Sequence, residues 1–278
     1  PIHTFSCIYP NSPDFDESEY IRASVAKFNA IPQYTEPKHD DFLALVRQSV
    51  YEQDGPTGGA SVLSQRAVMQ LAGRHVKVLL DGQGADEMLG GYHPYFYNKI
   101  NTLFNIVLTN PTIKNYKHYR KTVSAIKQRT GMQAPGLRAL LSGLKHGRLM
   151  QSEFKLKVPP TNQLAYMQPF KQDELNTLLL EHTFTNLTNL LHYEDRNSMA
   201  FSVESRLPFL DYRIVEYIFS LGHEYKIRGN VTKWMLSEVA KKVLPEKVLQ
   251  RKDKMGFSTP VAEWFLQDNP MAYLKQLL

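Results

Sequence analysis

Apolar residues recur along the first hundred positions in two alternating rhythms. A short run over residues 2–9 reads as a strand and closes on Pro10-Asn11-Ser12-Pro13, a turn sequence. Residues 18–29 read as a helix, and an extended stretch surrounds Pro32-Gln33-Tyr34-Thr35. Residues 39–53 are helical, with Phe42, Leu45, Val46, Ser49 and Val50 on one face, until Gly55-Pro56-Thr57-Gly58-Gly59 breaks the pattern. Residues 61–72 form another helix with Leu63, Ala67 and Leu71 in line. Val76-Lys77-Val78-Leu79-Leu80 then gives a short, β-branched, mostly apolar run, which suggests a central parallel strand. Strand–helix–strand order predicts an α/β fold, a parallel sheet with helices on both faces, over residues 1–98.

Beyond that point the strand signals stop, and residues 99–278 read as a mainly helical part. Residues 98–181 are helix-prone without a clean period, and residues 161–172 read as a loop. Residues 182–221 are helices broken by Arg206-Leu207-Pro208-Phe209-Leu210-Asp211, after which Ile214, Val215, Ile218 and Phe219 share a side. Val231, Met235, Val239 and Val243 line a further helix that stops before Pro245. No repeat, low-complexity tract or convincing linker divides the chain, which is therefore read as one domain.

The 278 residues suffice for a sizeable core, and fifteen Tyr and fourteen Phe argue against disorder. The net charge of +6 comes from scattered Lys and Arg with only short clusters such as 114–121, so a nucleic-acid module is set aside. The lone Cys7 excludes an internal disulfide and a cysteine-built zinc site, and it is expected as a buried small side chain in a strand. No run approaches the roughly 18–20 apolar residues of a membrane span, and no signal peptide opens the chain. A cytoplasmic protein is expected.

The segment richest in chemistry is Leu80-Asp81-Gly82-Gln83-Gly84-Ala85-Asp86-Glu87-Met88-Leu89-Gly90-Gly91-Tyr92. It leaves the carboxyl end of a predicted parallel strand and opens a helix, the place where ligands bind in open α/β sheets. Gly82 and Gly84 allow close approach to a ligand, and free N–H groups at a helix start attract phosphate. Asp86 alone repels phosphate, but with Mg²⁺ between them the carboxylate becomes a ligand. Taken alone, a Gly-x-Gly also fits a plain turn with two acids in the first turn of a helix.

The whole string resembles the asparagine synthetase signature, S-G-E-G-[AS]-D-E-x-x-G-G-Y. Further blocks resemble that family in the same order: residues 192–200 with 203–211, then Lys226-Ile227-Arg228-Gly229 and Thr232-Lys233-Trp234, then Arg251-Lys252-Asp253-Lys254-Met255-Gly256-Phe257. The resemblance implies the synthetase half of a glutamine-dependent enzyme of the PP-loop ATP pyrophosphatase superfamily, with an adenine nucleotide alpha hydrolase-like fold. It implies ATP and Mg²⁺, activation of the aspartate side chain as acyl-AMP with release of pyrophosphate, and amidation by ammonia from a separate glutaminase domain. By position, Asp86 resembles the metal ligand, and Lys233 and Lys254 resemble the two lysines that meet the phosphates. Asp81, Gly82, Gly84 and the strand carrying Cys7 would border the nucleotide. A homodimer is a further expectation. At 3.6 residues per turn Lys233 lies about 200° from Val231, off the buried stripe of its helix. Glu204, Arg206 and Asp211 read as a buried ionic cluster that fixes local geometry.

Two features depart from the family pattern. Its S-G-G-x-D-S phosphate loop, expected just before Pro1, is not in the sequence, nor is a glutaminase domain; the chain alone is therefore expected to turn over little. The signature's Glu is Gln83 here and its Ser is Asp81. A glutamine can hydrogen-bond an incoming amine but cannot act as its base. That leaves open an amidotransferase acting on another carboxylate, such as a sugar acid, or a non-catalytic remnant that only binds a partner.

Overall fold

The computed structural model describes residues 2–130, 174–251 and 256–267. The chain folds as two compact units, one comprising Pro1–Gln83, Asn186–Asp211 and Ser237–Leu278, the other Gly84–Thr185 and Tyr212–Leu236. No composition break marks these boundaries, and the first of them falls inside the glycine-rich signature, between Gln83 and Gly84.

The first unit carries the strands. β1 (His3–Cys7) runs through α1 (Ser18–Phe28) into β2 (Ile31–Thr35), and the two strands pair in parallel, His3 beside Ile31 and Cys7 beside Thr35. α1 ends on Asn29 in the left-handed conformation (φ 47°), a geometry asparagine tolerates. α2 (Phe42–Glu52) follows a single 3₁₀ turn, and α3 (Ser61–Ala72) matches the helix predicted over those residues. α3 packs against β1, β2, α2 and the later helix α8 (Asn186–Met199). Being covered on several sides, it buries polar Ser64, Gln65 and Arg66 beside Val62, Leu63, Ala67, Val68, Met69 and Ala72. Each buried polar group then needs a partner, and Arg66 finds Glu52 at 2.7 Å and the Phe201 ring at 5.0 Å.

β3 (Val78–Leu80) pairs in parallel with β4 (Glu204–Arg206), a strand that the sequence pattern does not announce. Three residues, Glu-Ser-Arg, have neither β-branching nor an apolar face; they become a strand by filling the backbone hydrogen bonds of β3. The parallel pairing inferred from strand–helix order holds, divided among the described residues between two two-stranded sheets. Val78 and Leu80 remain 41% and 70% exposed. β4 also corrects the expected buried ionic cluster: Glu204 and Arg206 pair at 2.8 Å on the exposed face of the strand, because alternation turns both outward and leaves Ser205 facing in. Its described residues also include α11 (Glu246–Leu249) and α12 (Val261–Gln267).

The second unit is helical. Among its described residues, α4 (Ala85–Leu89), α5 (Tyr95–Thr109), α6 (Ile113–Thr130), α7 (Glu174–Phe184) and α9 (Tyr212–Ser220) accompany buried Met88, Leu89, Tyr95, Phe96, Ile100, Leu179 and Ile227, and α10 (Trp234–Ala240) begins in this unit. α9 buries Ile218 and Phe219 as its pattern predicts. The predicted apolar stripe from Val231 to Val243 is not a core face: α10 spans only Trp234–Ala240, and Val239 and Val243 are exposed. The loop expected over residues 161–172 lies outside the described residues. Among the described residues no helix is long and apolar enough to cross a membrane.

Candidate active site

In the first unit the end of β3 is fixed from below. Asp81 N–H donates to the Arg206 carbonyl at 3.0 Å, extending the β3–β4 ladder, and the Asp81 side chain accepts from Gly82 N–H. A Cβ placed on Gly82 would meet nothing within 4 Å, so no neighbouring side chain demands a glycine there. The carboxyl of Glu194 on α8, which is 1% exposed, lies beside Asp81 and Gln83. Glu194 also accepts from Ser205 Oγ and, at 3.4 Å, from Gln65 Nε2. Burial, and then the charge of Asp81, push its carboxyl up to about 7.

A second buried amide anchors that carboxyl. Asn197, one helical turn beyond Glu194, is fully buried; it accepts from Gln53 Nε2 at 2.9 Å and donates to the Val62 carbonyl at 3.1 Å and to Gln65 Oε1 at 3.0 Å. A continuous polar chain thus runs from Gln53 through Asn197, Gln65 and Glu194 to Ser205 on β4, the strand that pairs with β3. Sequence reasoning missed Glu194 and Asn197 as site residues. The signal was available: Glu194, Asn197 and Ser198 stand at i, i+3 and i+4, a polar stripe where a helix normally buries apolar groups.

Cys7 ends β1 and lines a cavity of about 200 Å³ with Phe5, Tyr9, Ser64 and Phe257. It is half-buried rather than buried, because the cavity opens beside it. Below it Tyr9 and Ser64 hydroxyls meet at 2.6 Å, and Ser64 meets Thr259 at 2.5 Å. Burial is the main reason the Cys7 thiol is pushed up to about 11. At pH 8 the thiolate fraction falls about a hundredfold while the more basic thiolate is roughly tenfold more nucleophilic, so iodoacetamide should label Cys7 about tenfold more slowly than the urea-unfolded chain. Equal rates would contradict this environment.

In the second unit Gly84 takes φ 91° and starts α4. This helix has only five residues, so the phosphate-attracting helix start expected from the sequence is a single turn with Asp86 and Glu87 in it. Asp86 Oδ1 accepts an ion pair from Lys233 Nζ at 2.8 Å. Lys233 is not on a helix, which corrects the helical-wheel placement: it sits at φ 46° just before α10, its N–H donating to the Leu89 carbonyl at 3.2 Å. That turn, and not a helix face, aims the ammonium at Asp86. Gly91 makes the approach possible, since a Cβ there would collide with Asp86 Oδ1 and lie 2.8 Å from Lys233 Cε. Beside the pair, buried Glu87 accepts from Tyr92 Oη at 2.5 Å, and its second oxygen, Oε2, has no hydrogen-bond partner among the described residues. Burial and Glu87 raise the Tyr92 phenol, so it remains a donor.

Each unit therefore gathers part of the predicted set: Asp81 and Gln83 beside Glu194 in one, Asp86 and Lys233 in the other. Lys254 lies outside the described residues.

The asparagine synthase family matches residues 1–278, the entire chain. The chain belongs to the asparagine synthase family. Among its curated relatives in that family, the Bacillus subtilis (strain 168) "Asparagine synthetase [glutamine-hydrolyzing] 1" is 24% identical over 271 residues, covering 91% of this chain and 42% of the relative. The "Asparagine synthetase [glutamine-hydrolyzing] 3" of the same organism is 27% identical over 274 residues, covering 91% of this chain and 39% of the relative. The chain thus spans about two-fifths of the length of these asparagine synthase relatives.

Proposed function

We propose that this chain is the ATP-using part of an amide-forming ligase, in which a side-chain carboxylate attacks the α-phosphate of ATP, pyrophosphate leaves, and ammonia displaces AMP from the acyl-AMP. The observation that carries the reading is the Asp86–Lys233 pair: two residues far apart in sequence, both singled out by the family resemblance, held at 2.8 Å in a space that only a glycine at position 91 leaves free. Aspartate is the first carboxylate to consider, with ammonia supplied by a glutaminase domain, in a cytoplasmic and homodimeric enzyme.

The chemistry calls for neutralising phosphate charge and holding two anions together. Lys233 supplies a cation whose direction is set by its backbone turn and by Asp86. Lys254 would add a second, Asp81, Gly82 and Gly84 would border the nucleotide, and the backbone of the Cys7 strand would border the adenine. Among the described residues no three His, Cys, Asp or Glu side chains gather as a ready-made metal cage. Mg²⁺ typically keeps its waters and takes one or two carboxylates plus substrate phosphate, a demand that Asp86 meets. When bound there it would screen the phosphate charge. Gln83 favours a second reading within the same chemistry: with an amide in the usual place of a glutamate, the accepting carboxylate differs, a sugar acid being one class.

The test is pyrophosphate release from ATP with Mg²⁺ and ammonium across a panel of acids, aspartate first. It is run on this chain and on the chain preceded by a family S-G-G-x-D-S segment. The loop-bearing form should respond to one acid and exceed the chain alone by roughly a hundredfold, and Asp86→Asn or Lys233→Ala should remove most of that gain. Release indifferent to every acid, or variants with unchanged rates, would overturn the reading.

A further inference from the structure

Charge is unevenly divided along the chain. From Met88 to Ser152 there are 65 residues with ten Lys or Arg and no Asp or Glu. The rest of the chain then holds 23 of the 33 basic residues and all 27 acidic ones, a balance of −4. The positive charge read above as scattered is therefore concentrated in one stretch. The described part of that stretch ends in the hairpin of α5 and α6, inside the second unit. The two helices pack on each other, with the Phe104 and Tyr119 ring centroids 5.8 Å apart and Ile100 and Ile126 buried.

The turn between the helices is well tied. Asn110 N–H donates to the Ile106 carbonyl at 2.9 Å, Asn115 N–H donates to Thr112 Oγ1 at 3.1 Å, and Asn115 Nδ2 donates to the Asn110 carbonyl at 2.8 Å. Yet the last turn of α5 and the first of α6 leave Ile106, Leu108, Ile113 and Tyr116 exposed, Ile113 by 77%. At 3.6 residues per turn Lys114, Lys117, Arg120, Lys121 and Lys127 share about 140° of the α6 surface, opposite buried Thr122 and Ile126. All five cations are exposed, and Ile113 and Tyr116 stand on the same side of the helix. Neither helix carries an acid.

We propose that the α5–α6 hairpin is a docking surface for an anionic lipid bilayer, its apolar turn entering the headgroup region and the basic face of α6 lying along the lipid phosphates. Such a contact needs no spanning helix. Charge selects the partner: five cations with no acid on their helix repel a second copy of the same face and attract a negative surface. The apolar turn then separates lipid from nucleic acid. RNA offers phosphates and stacking bases, neither of which shelters three aliphatic side chains, whereas a bilayer takes them out of water. Docking here is independent of the ligase reading.

The test is co-sedimentation of the chain with vesicles of phosphatidylcholine alone and with vesicles that contain about one-third phosphatidylserine, in about 0.1 M NaCl. Binding to the anionic vesicles alone is expected. Each cation at the surface contributes roughly fivefold, so Lys114→Gln/Lys117→Gln/Lys121→Gln should weaken binding about a hundredfold. Leu108→Ser/Ile113→Ser should weaken it about tenfold. These positions are exposed, so both variants should keep the parent's urea midpoint; should the second unfold, Ile113→Ser alone should still weaken binding severalfold. No preference for anionic vesicles, or a preference that survives either set of substitutions in folded protein, would overturn the proposal. Tighter binding to a single-stranded oligouridine, lost only in the lysine variant, would replace lipid by nucleic acid. A dimer abolished by Leu108→Ser/Ile113→Ser would replace it by a second copy of the chain.

Discussion

Gly91→Ala should lower stability by about 1–3 kcal/mol, the usual cost of forcing extra volume into a filled site, although it adds one methyl group. The methyl would occupy the space where Asp86 Oδ1 lies, with Lys233 Cε beside it, so one of the two side chains must leave. Backbone conformation is not the cause, since Gly91 lies outside the left-handed region. The diagnostic variant is the double mutant. Asp86→Ala alone loses a half-exposed ion pair worth about 1 kcal/mol or less. Asp86→Ala with Gly91→Ala removes the obstructing oxygen and should be more stable than the sum of the single costs by about 1 kcal/mol. Urea midpoints for the four proteins measure this directly. Additive costs would mean that the methyl and the carboxylate do not compete for the same volume.

Asn197→Leu should be costlier, roughly 3–4 kcal/mol, because it strands several buried polar groups at once. The shape is nearly kept, but the Val62 carbonyl and Gln65 Oε1 lose their donor. Gln53 Nε2 loses Asn197 and keeps the Tyr193 carbonyl at 3.1 Å. The control is Asn189→Leu, the same chemical change at an exposed position of α8, which should stay within about 0.5 kcal/mol of the parent. Similar losses at the two positions, read from the same denaturation curves, would show that helix propensity and not the polar chain sets the cost.

Much of the first unit was legible because its signals are local. α1, α3 and β2 come from periodicity bounded by turn residues, and the structure places them where those signals fall. β4 was not legible, since nothing in Glu204-Ser205-Arg206 prefers a strand; only the backbone of β3 makes it one. Lys233 was misplaced for a similar reason: the apolar spacing of Val231 and Met235 suggested a helix one turn too long, while the chain instead turns at φ 46° to reach Leu89. The signature string and its family could be read from residue identity alone. Its surroundings were less legible: the spacing of Glu194, Asn197 and Ser198 marks a polar stripe on α8 but not what that stripe meets, and the close contact of Gly91 with Asp86 shows only in the packing. The two units were invisible for the same reason: each is assembled from separated stretches of chain.

The position of the unit boundary, between Gln83 and Gly84, bears on how the signature can vary over evolutionary time. Residues before it answer to α8 and β4, and residues after it answer to Lys233 and the close contact at Gly91. A substitution before the boundary is thus met by contacts within the first unit, and one after it by contacts within the second. Both departures from the family string, Asp81 and Gln83, fall on the upstream side, while Gly84-Ala85-Asp86-Glu87 and Gly90-Gly91-Tyr92 keep the family spelling.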